Sequence, residues 1–197
     1  VNTQSVHGEG AVSIAMDGAS LPVTLTNNVI VSNVDKGIGV YDGVYDLTIV
    51  NNTVASNRNE GILAWGTITI PLLRNNIVVS NGYCGIAAAD GAAIQAIDHN
   101  DVWQNGGGSG NYCDYGGAVT PPAAGSGSIS ADPLFADSAN GDYHLQASSP
   151  CVDKGTSSGA PEYDAEGIPR DAVPDMGAYE WARYRIFLPL TLRNAGS

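Results

Sequence analysis

The chain has 197 residues, with 20 acids against 8 bases, a formal charge of −12 and only 14% charged residues. That balance repels phosphate backbones and anionic membranes and excludes nucleic acid as a natural partner, and no apolar run approaches the roughly 20 residues of a membrane span. Its 25 glycines and short β-branched runs favour strands joined by turns, in one domain or one array of repeats.

Projected from the regular passes described below, Val1 lies beneath Leu25, Val6 beneath Ile30, Ile14 beneath Ile38 and Met16 beneath Val40. No capping element precedes these residues, so the first coil is expected to be covered by another body or to continue from earlier coils. A start at Val1 implies processing and fits removal of an export signal. The three cysteines are compatible with an oxidising compartment, which gives an extracellular or cell-surface expectation.

The stretch TNNVIVSN at 26–33 returns as VNNTVASN at 50–57 and as RNNIVVSN at 74–81, a period of 24 residues. Asn28, Asn52, Asn76 and Asn100 form one column, and Asn33, Asn57, Asn81 and Asn105 form a second. The columns Leu25/Ile49/Leu73/Ile97, Ile30/Val54/Val78/Val102 and Ile38/Ile62/Ile86 are apolar in every pass. A repeat of this length, with three strand-like runs per pass, predicts an all-β, single-stranded parallel β-helix, or β-solenoid. Coils about 4.8 Å apart would stack like on like, with aliphatics inside and asparagine amides bonded along the stack. Gly37, Gly61 and Gly85 form a further column, read as a turn with positive φ.

Alternation along the middle run puts Asn28, Ile30 and Ser32 inward. Val29, Val31, Thr53, Ala55, Ile77 and Val79 then face outward. A lateral face this apolar predicts a cover, either the chain's own C-terminal segment or a neighbouring molecule.

After Asn105 the register breaks at GGGSGN. Looping this out sets Tyr112-Cys113 over Tyr83-Cys84, so a Cys84 to Cys113 disulfide is expected, with Cys151 a buried free thiol. TPPAAGSGS at 120–128 reads as a surface loop, and strand character resumes at Tyr143-His144-Leu145. The expected organisation is a β-helix over 1–181, regular to about 112 and irregular over about 113–181, followed by an extended tail at 182–197.

The NN-x-[VI]-x-SN coils resemble the right-handed parallel β-helix repeats of secreted bacterial proteins in the pectate-lyase-like superfamily. The run ADPLFADSANGDYHLQASSPCVDKG, followed by PRDAVPDMGAYEW, resembles the DxGAYE-type closing segment of exported bacterial surface proteins. RIFLPLTLRN resembles a C-terminal tail of exported bacterial proteins. These resemblances imply export and a right-handed β-helix, but no activity, because the superfamily hosts lyases, hydrolases and adhesins alike.

Chemistry is sparse. Lyases of that superfamily need a base beside a uronate, yet Lys36, Arg58 and Arg74 occupy different columns and read as solvated cations. Asp42 and Asp90 share a column two coils apart, about 10 Å, at the wide limit for an inverting acid pair. His7, His99 and His144 lack convergent partners for a metal. Asp153, Glu162, Asp164, Glu166, Asp171 and Asp175 read as solvated loop carboxylates or as an oxygen cage for Ca²⁺, with no other cofactor expected. Asn51-Asn52-Thr53 matches a glycosylation sequon, but Asn51 belongs to the corner repeat. Trp65 and Trp103 stand beside coil corners, where each either stacks on a sugar or packs under a loop.

The tail residues Tyr184, Ile186, Phe187, Leu188, Leu190 and Leu192 form an apolar, strand-like run suited to adding to a sheet edge of this chain or of a neighbour. Together with an open first coil, this predicts a structural, non-enzymatic protein that joins head to tail with itself in an extracellular filament or surface layer. The alternative is a carbohydrate-active or glycan-binding β-helix whose partner is a polysaccharide.

Overall fold

The computed structural model describes residues 10–15, 22–41, 46–109 and 112–182. The expectations placed on Val1, Val6, His7, Met16, Asp42 and the tail from Tyr184 to Leu192 lie outside the described residues.

Each coil contributes three short strands. The first holds β1 (Val12–Ala15), β2 (Pro22–Thr26) and β3 (Val29–Val31), and the second β4 (Ile38–Tyr41), β5 (Asp46–Val50) and β6 (Thr53–Ala55). The third holds β7 (Ile62–Trp65), β8 (Thr69–Arg74) and β9 (Ile77–Val79), and the fourth β10 (Ile86–Ala89), β11 (Ala93–Asp98) and β12 (Asp101–Trp103). β13 (Tyr115–Gly117) extends the stack, and β14 (Phe135–Asp137) and β15 (Asp142–Leu145) follow. The first sheet runs β1-β4-β7-β10-β13, the second β2-β5-β8-β11 and the third β3-β6-β9-β12, all parallel. The protein is therefore an all-β parallel solenoid, whose only described helical turns are 3-10 segments at Gly107–Ser109 and Ser138–Asn140.

Because the period is constant, like residues meet: Ile38 pairs with Ile62 and Ile62 with Ile86, while Leu25, Ile49, Leu73 and Ile97 align in the second sheet. Ile38, Val40, Leu47, Ile49, Ile62, Ile70, Leu73 and Ile86 are wholly buried, each contributing about 1.5–3 kcal/mol.

The buried asparagines form two directional ladders. Asn28 N and Nδ2 donate to Asn52 Oδ1 at 3.0 and 2.9 Å, Asn52 donates likewise to Asn76, and Asn76 to Asn100. Asn33, Asn57, Asn81 and Asn105 repeat the pattern. The second amide hydrogen is also used, as where Asn76 Nδ2 donates to Ile49 O at 2.9 Å one coil back. Each ladder ends on a chemically matched acceptor. Ser128 Oγ takes Asn100 N at 3.3 Å, and Asp114 Oδ1 takes Asn105 Nδ2 at 3.0 Å.

Two local expectations need correction. Gly37, Gly61 and Gly85 do not adopt positive φ; a Cβ on Gly61 would meet Val78 Cγ1 at 2.6 Å and Gly85 O at 2.7 Å, so these glycines are required by close packing. The left-handed residues are instead Asn27, Asn51, Asn75 and His99 before the first ladder, and Ser32, Ser56, Ser80 and Gln104 before the second. That turn throws Ser32 outward, where it is exposed, rather than inward.

The apolar outer face of the third sheet is covered by the chain itself. Ala55, Ile77 and Val79 pack with Tyr143, Leu145, Cys151 and Met176 in one buried cluster, flanked by Val29, Val31, Ile129 and Phe135. The left-handed corner asparagines hold this closing segment in place. Asn51 Nδ2 donates to Asp175 O and Gly177 O, Asn75 Nδ2 donates to Thr156 O, and Asn75 O accepts Gly177 N at 2.7 Å. Asn51 is wholly buried by these contacts, which closes it to glycosylation in the folded state.

Candidate functional site

With the third sheet covered, the outer face of the first sheet carries Tyr41 and Trp65. Its outward positions are Gly39 and Tyr41 on β4, Leu63 and Trp65 on β7, and Ala87 and Ala89 on β10, with Tyr41 registered on Trp65 and Trp65 on Ala89. Gly39 is needed here because a Cβ would strike the Tyr41 ring and hydroxyl at 2.6–2.8 Å, so the ring lies across the bare backbone. The turn before each strand adds a polar strip. Asn59 N donates to Asp35 O and Tyr83 N to Asn59 O, which stacks these three residues one per coil beside Lys36 and Glu60.

Lys36, Tyr41, Asn59, Glu60, Leu63, Trp65 and Tyr83 line one open groove of about 320 Å³. Lys36 Nζ bonds Asp35 Oδ1 at 3.1 Å, and Asn59 Nδ2 donates to the same oxygen. Burial raises the Tyr41 phenol above its ordinary pKa, with Lys36 opposing and Asp35 and Glu60 reinforcing the shift. The groove thus combines three aromatic rings with hydrogen-bonding side chains whose formal charges nearly cancel. Chemically, such a set is able to stack on an apolar ring face and to bond hydroxyls around it.

Trp65 is in this groove, whereas Trp103 packs against the covered third-sheet cluster. Sequence reasoning singled out Trp65 but missed Tyr41, Tyr83, Asn59 and Glu60. The signal was the 24-residue offset from Tyr41 to Trp65 and from Lys36 to Glu60, which the change of residue type hid. Lys36 is drawn into the groove rather than solvated, being buried. Arg74 is also committed, bonding Asp98 with two nitrogens and Ser158 O with a third. Arg58 and Asp90 are exposed.

At the far edge of the groove, Cys84 and Cys113 are disulfide-bonded with a Cα separation of 4.5 Å. The bridge lies over Gly116, where a Cβ would collide with Cys84 Sγ.

The acidic closing region is not uniformly solvated. Asp164, Asp175 and Glu180 are buried, because backbone N–H groups and one arginine consume their oxygens. Asp164 accepts Glu166 N, Ile168 N and Glu180 N, and Asp175 accepts Asp153 N and Trp181 N. Arg170 Nη1 pairs with Glu180 Oε2 at 2.9 Å, and Nη2 donates to Asn27 Oδ1, Gly177 O and Ala178 O. Burial pushes Glu180 up despite the Asp175 and Asp171 amides and the guanidinium, and raises Asp175 to about 7. Among the described residues no cluster of His, Cys, Asp and Glu has the arrangement of a metal centre.

His144 Nδ1 lies 2.6 Å from Asp142 Oδ1 and its ring stacks on Tyr179 at 4.0 Å, while His99 Nδ1 lies 2.8 Å from Asp98 Oδ1. Cys151 is free and wholly buried, with Sγ 3.2 Å from Asp101 Oδ2. Burial raises the thiol pKa well above its usual range and lifts Asp101 to about 7.

Fold and groove together define a parallel β-solenoid with one lateral face sealed by its own closing segment and another lined with aromatic and polar side chains. By sequence the chain belongs to the disaggregatase-related family, whose model matches residues 17–162. No curated protein and no solved structure matches it. None of the described helices is long and apolar enough to cross a membrane.

Proposed function

We propose that this protein is an exported glycan-binding β-solenoid that holds a polysaccharide strand on the outer face of its first sheet. One observation carries the reading: Tyr41, Trp65 and Tyr83 converge on a single open groove with Lys36, Asn59 and Glu60. Apolar rings bind the C–H faces of sugars, while amide, ammonium and carboxylate groups take the hydroxyls. The formal charges of Lys36, Asp35 and Glu60 sum to about −1, and the whole chain is acidic, so a neutral glycan fits better than a uronate. The family description, which relates it to disaggregatases, is consistent with a protein that engages the material of an aggregate.

A glycan array probed with the wild-type protein and W65A tests the reading. Binding to neutral glycans that disappears in W65A is expected; an array on which the two proteins behave alike removes the groove as the site.

A second reading, self-association of the solenoid, has its own observation. Val12, Ile14, Val23 and Leu25 are only partly buried, whereas their stacked counterparts Ile38, Val40, Leu47 and Ile49 are fully buried. Head-to-tail growth also needs an open far end, and there Asp114 and Ser128 terminate both ladders and Tyr115 and Val119 pack over the core. The filament or surface-layer reading is therefore the weaker of the two. Electron microscopy across a concentration series decides it, because fibres require stacking and uniform single particles oppose it.

A further inference from the structure

Two of the most exposed large side chains lie outside the groove's centre and have no role in the fold described so far. Tyr83 is 53% and Tyr112 78% exposed, and each immediately precedes a half-cystine of the Cys84 to Cys113 bridge. Ile86 registers on Tyr115, and Gly85 N donates to Cys113 O at 2.8 Å. The same 29-residue offset separates the two cysteines, so Cys113 lies one coil above Cys84, with Tyr112 next to it in the chain. The turn column of the first sheet reads Asp35, Asn59, Tyr83 along the axis, and Tyr112 adjoins the bridge on the coil above.

Such exposure has a thermodynamic cost, since two tyrosine rings standing in water bury little surface. The disulfide holds them there. It crosslinks the coils at the one place where the GGGSG insertion interrupts the repeat, and it packs on Gly116, which leaves no room for the bridge to move inward. Tyr83 lines the groove, and Tyr112 adjoins the bridge one coil further toward the C-terminal end of the stack.

We infer that Tyr83 and Tyr112, held on adjacent coils by the Cys84–Cys113 bridge, form an end subsite that extends the groove, so that a neutral polysaccharide lies along the solenoid axis. The inference rests on the glycan-binding reading above and adds direction and length to it. Coils repeat about every 4.8 Å, close to the rise of one pyranose in an extended chain. Successive coils then meet successive sugars: Tyr41 and Lys36 serve the first, Trp65, Asn59 and Glu60 the second, Tyr83 the third and Tyr112 the fourth. A strand running across the coils would touch Trp65 or Tyr112 but not both. Length dependence is thus the signature of the axial arrangement.

The test is isothermal titration with one neutral oligosaccharide series, two to six units long, taken from the class that binds best to the wild-type protein on an array. Affinity of the wild-type protein is expected to climb up to four units and then level off. Y112A removes a side chain exposed enough that folding is not at issue; it is expected to lose about tenfold in affinity for ligands of four or more units and nothing for the disaccharide. The Cys84→Ser/Cys113→Ser protein should behave like Y112A, and W65A should lose binding at every length. Equal affinity of Y112A and wild type for the long ligands overturns the end subsite while the W65A result leaves the central groove standing. Absence of binding at any length overturns both.

Discussion

Cys151 Sγ lies 3.2 Å from Asp101 Oδ2, and both residues are wholly buried where the fourth coil meets the closing segment. The other carboxyl oxygen accepts Ala131 N at 3.0 Å. One buried acid thus fastens two separate stretches of the closing region to the solenoid.

That contact makes stability depend on pH. Burial raises Asp101 and Asp175 to about 7 from the 3.8 of a free aspartate. Between those values the folded protein keeps protons that the unfolded chain releases, so this contribution is full below about pH 4 and is lost as pH rises through about 7. The urea midpoint should fall between about pH 5 and pH 7, by an amount on the order of a few kcal/mol in stability. D101N, which cannot titrate, should show a clearly shallower decline; an unchanged decline contradicts the assignment.

Within the ladders, position decides cost. N76A leaves Ile49 O and the Asn52 amide without their buried partners and should cost about 3–5 kcal/mol, whereas N28A at the ladder's partly buried end should cost about 1 kcal/mol. Denaturant unfolding of the two variants gives the comparison. Equal losses would mean that the amides act singly and not as a stack.

The glycine column makes a sharper prediction. In G61A the new methyl meets Val78 Cγ1, Asn81 Nδ2 and Gly85 O at 2.6–2.7 Å, and a loss of about 3 kcal/mol or more is expected. G107A meets nothing within 4 Å and should stay within about 0.5 kcal/mol of wild type. Thermal melts of the pair would expose a wrong reading, because a destabilising G107A or a benign G61A reverses the packing argument.

Arg170 and Glu180 form a nearly dry ion pair, with side chains only 3% and 5% exposed. R170M strands the carboxylate and frees the carbonyls of Gly177 and Ala178, for a loss of about 3–5 kcal/mol. R170M/E180M should recover part of this and not all, since Asp171 N and Asp175 N then lose the Glu180 oxygens. A double variant less stable than R170M would show that the pair's charge balance is not what holds the segment.

The solenoid was legible because stacking turns a structural repeat into a sequence repeat. Asn28, Asn52, Asn76 and Asn100 occupy equivalent sites and are bonded to one another, so each pass carries the same letter. The groove was not legible for the same reason inverted: Tyr41, Trp65 and Ala89 share a column on the outer face of the first sheet, where nothing requires like residues to stack. Local backbone was misread where two explanations fit one glycine; Gly61 answers to Val78 and Gly85 above it, while the left-handed turn went to Asn51 and Ser56. The closing segment's acids looked solvated because their partners are distant in sequence. Arg170 reaches back 143 residues to Asn27, and only the fold shows that these groups share one buried site.

The most direct test of the central claim is affinity electrophoresis of wild type, W65A and W103F in gels cast with a panel of neutral polysaccharides. Trp65 lies in the groove and Trp103 beneath the closing segment, so the pair separates ligand contact from general damage. Wild type and W103F are expected to be retarded together by at least one polysaccharide, with W65A running as in the blank gel. If W65A is retarded as strongly as wild type, or if none of the polysaccharides slows the wild-type protein, the first sheet's outer face is not a glycan site.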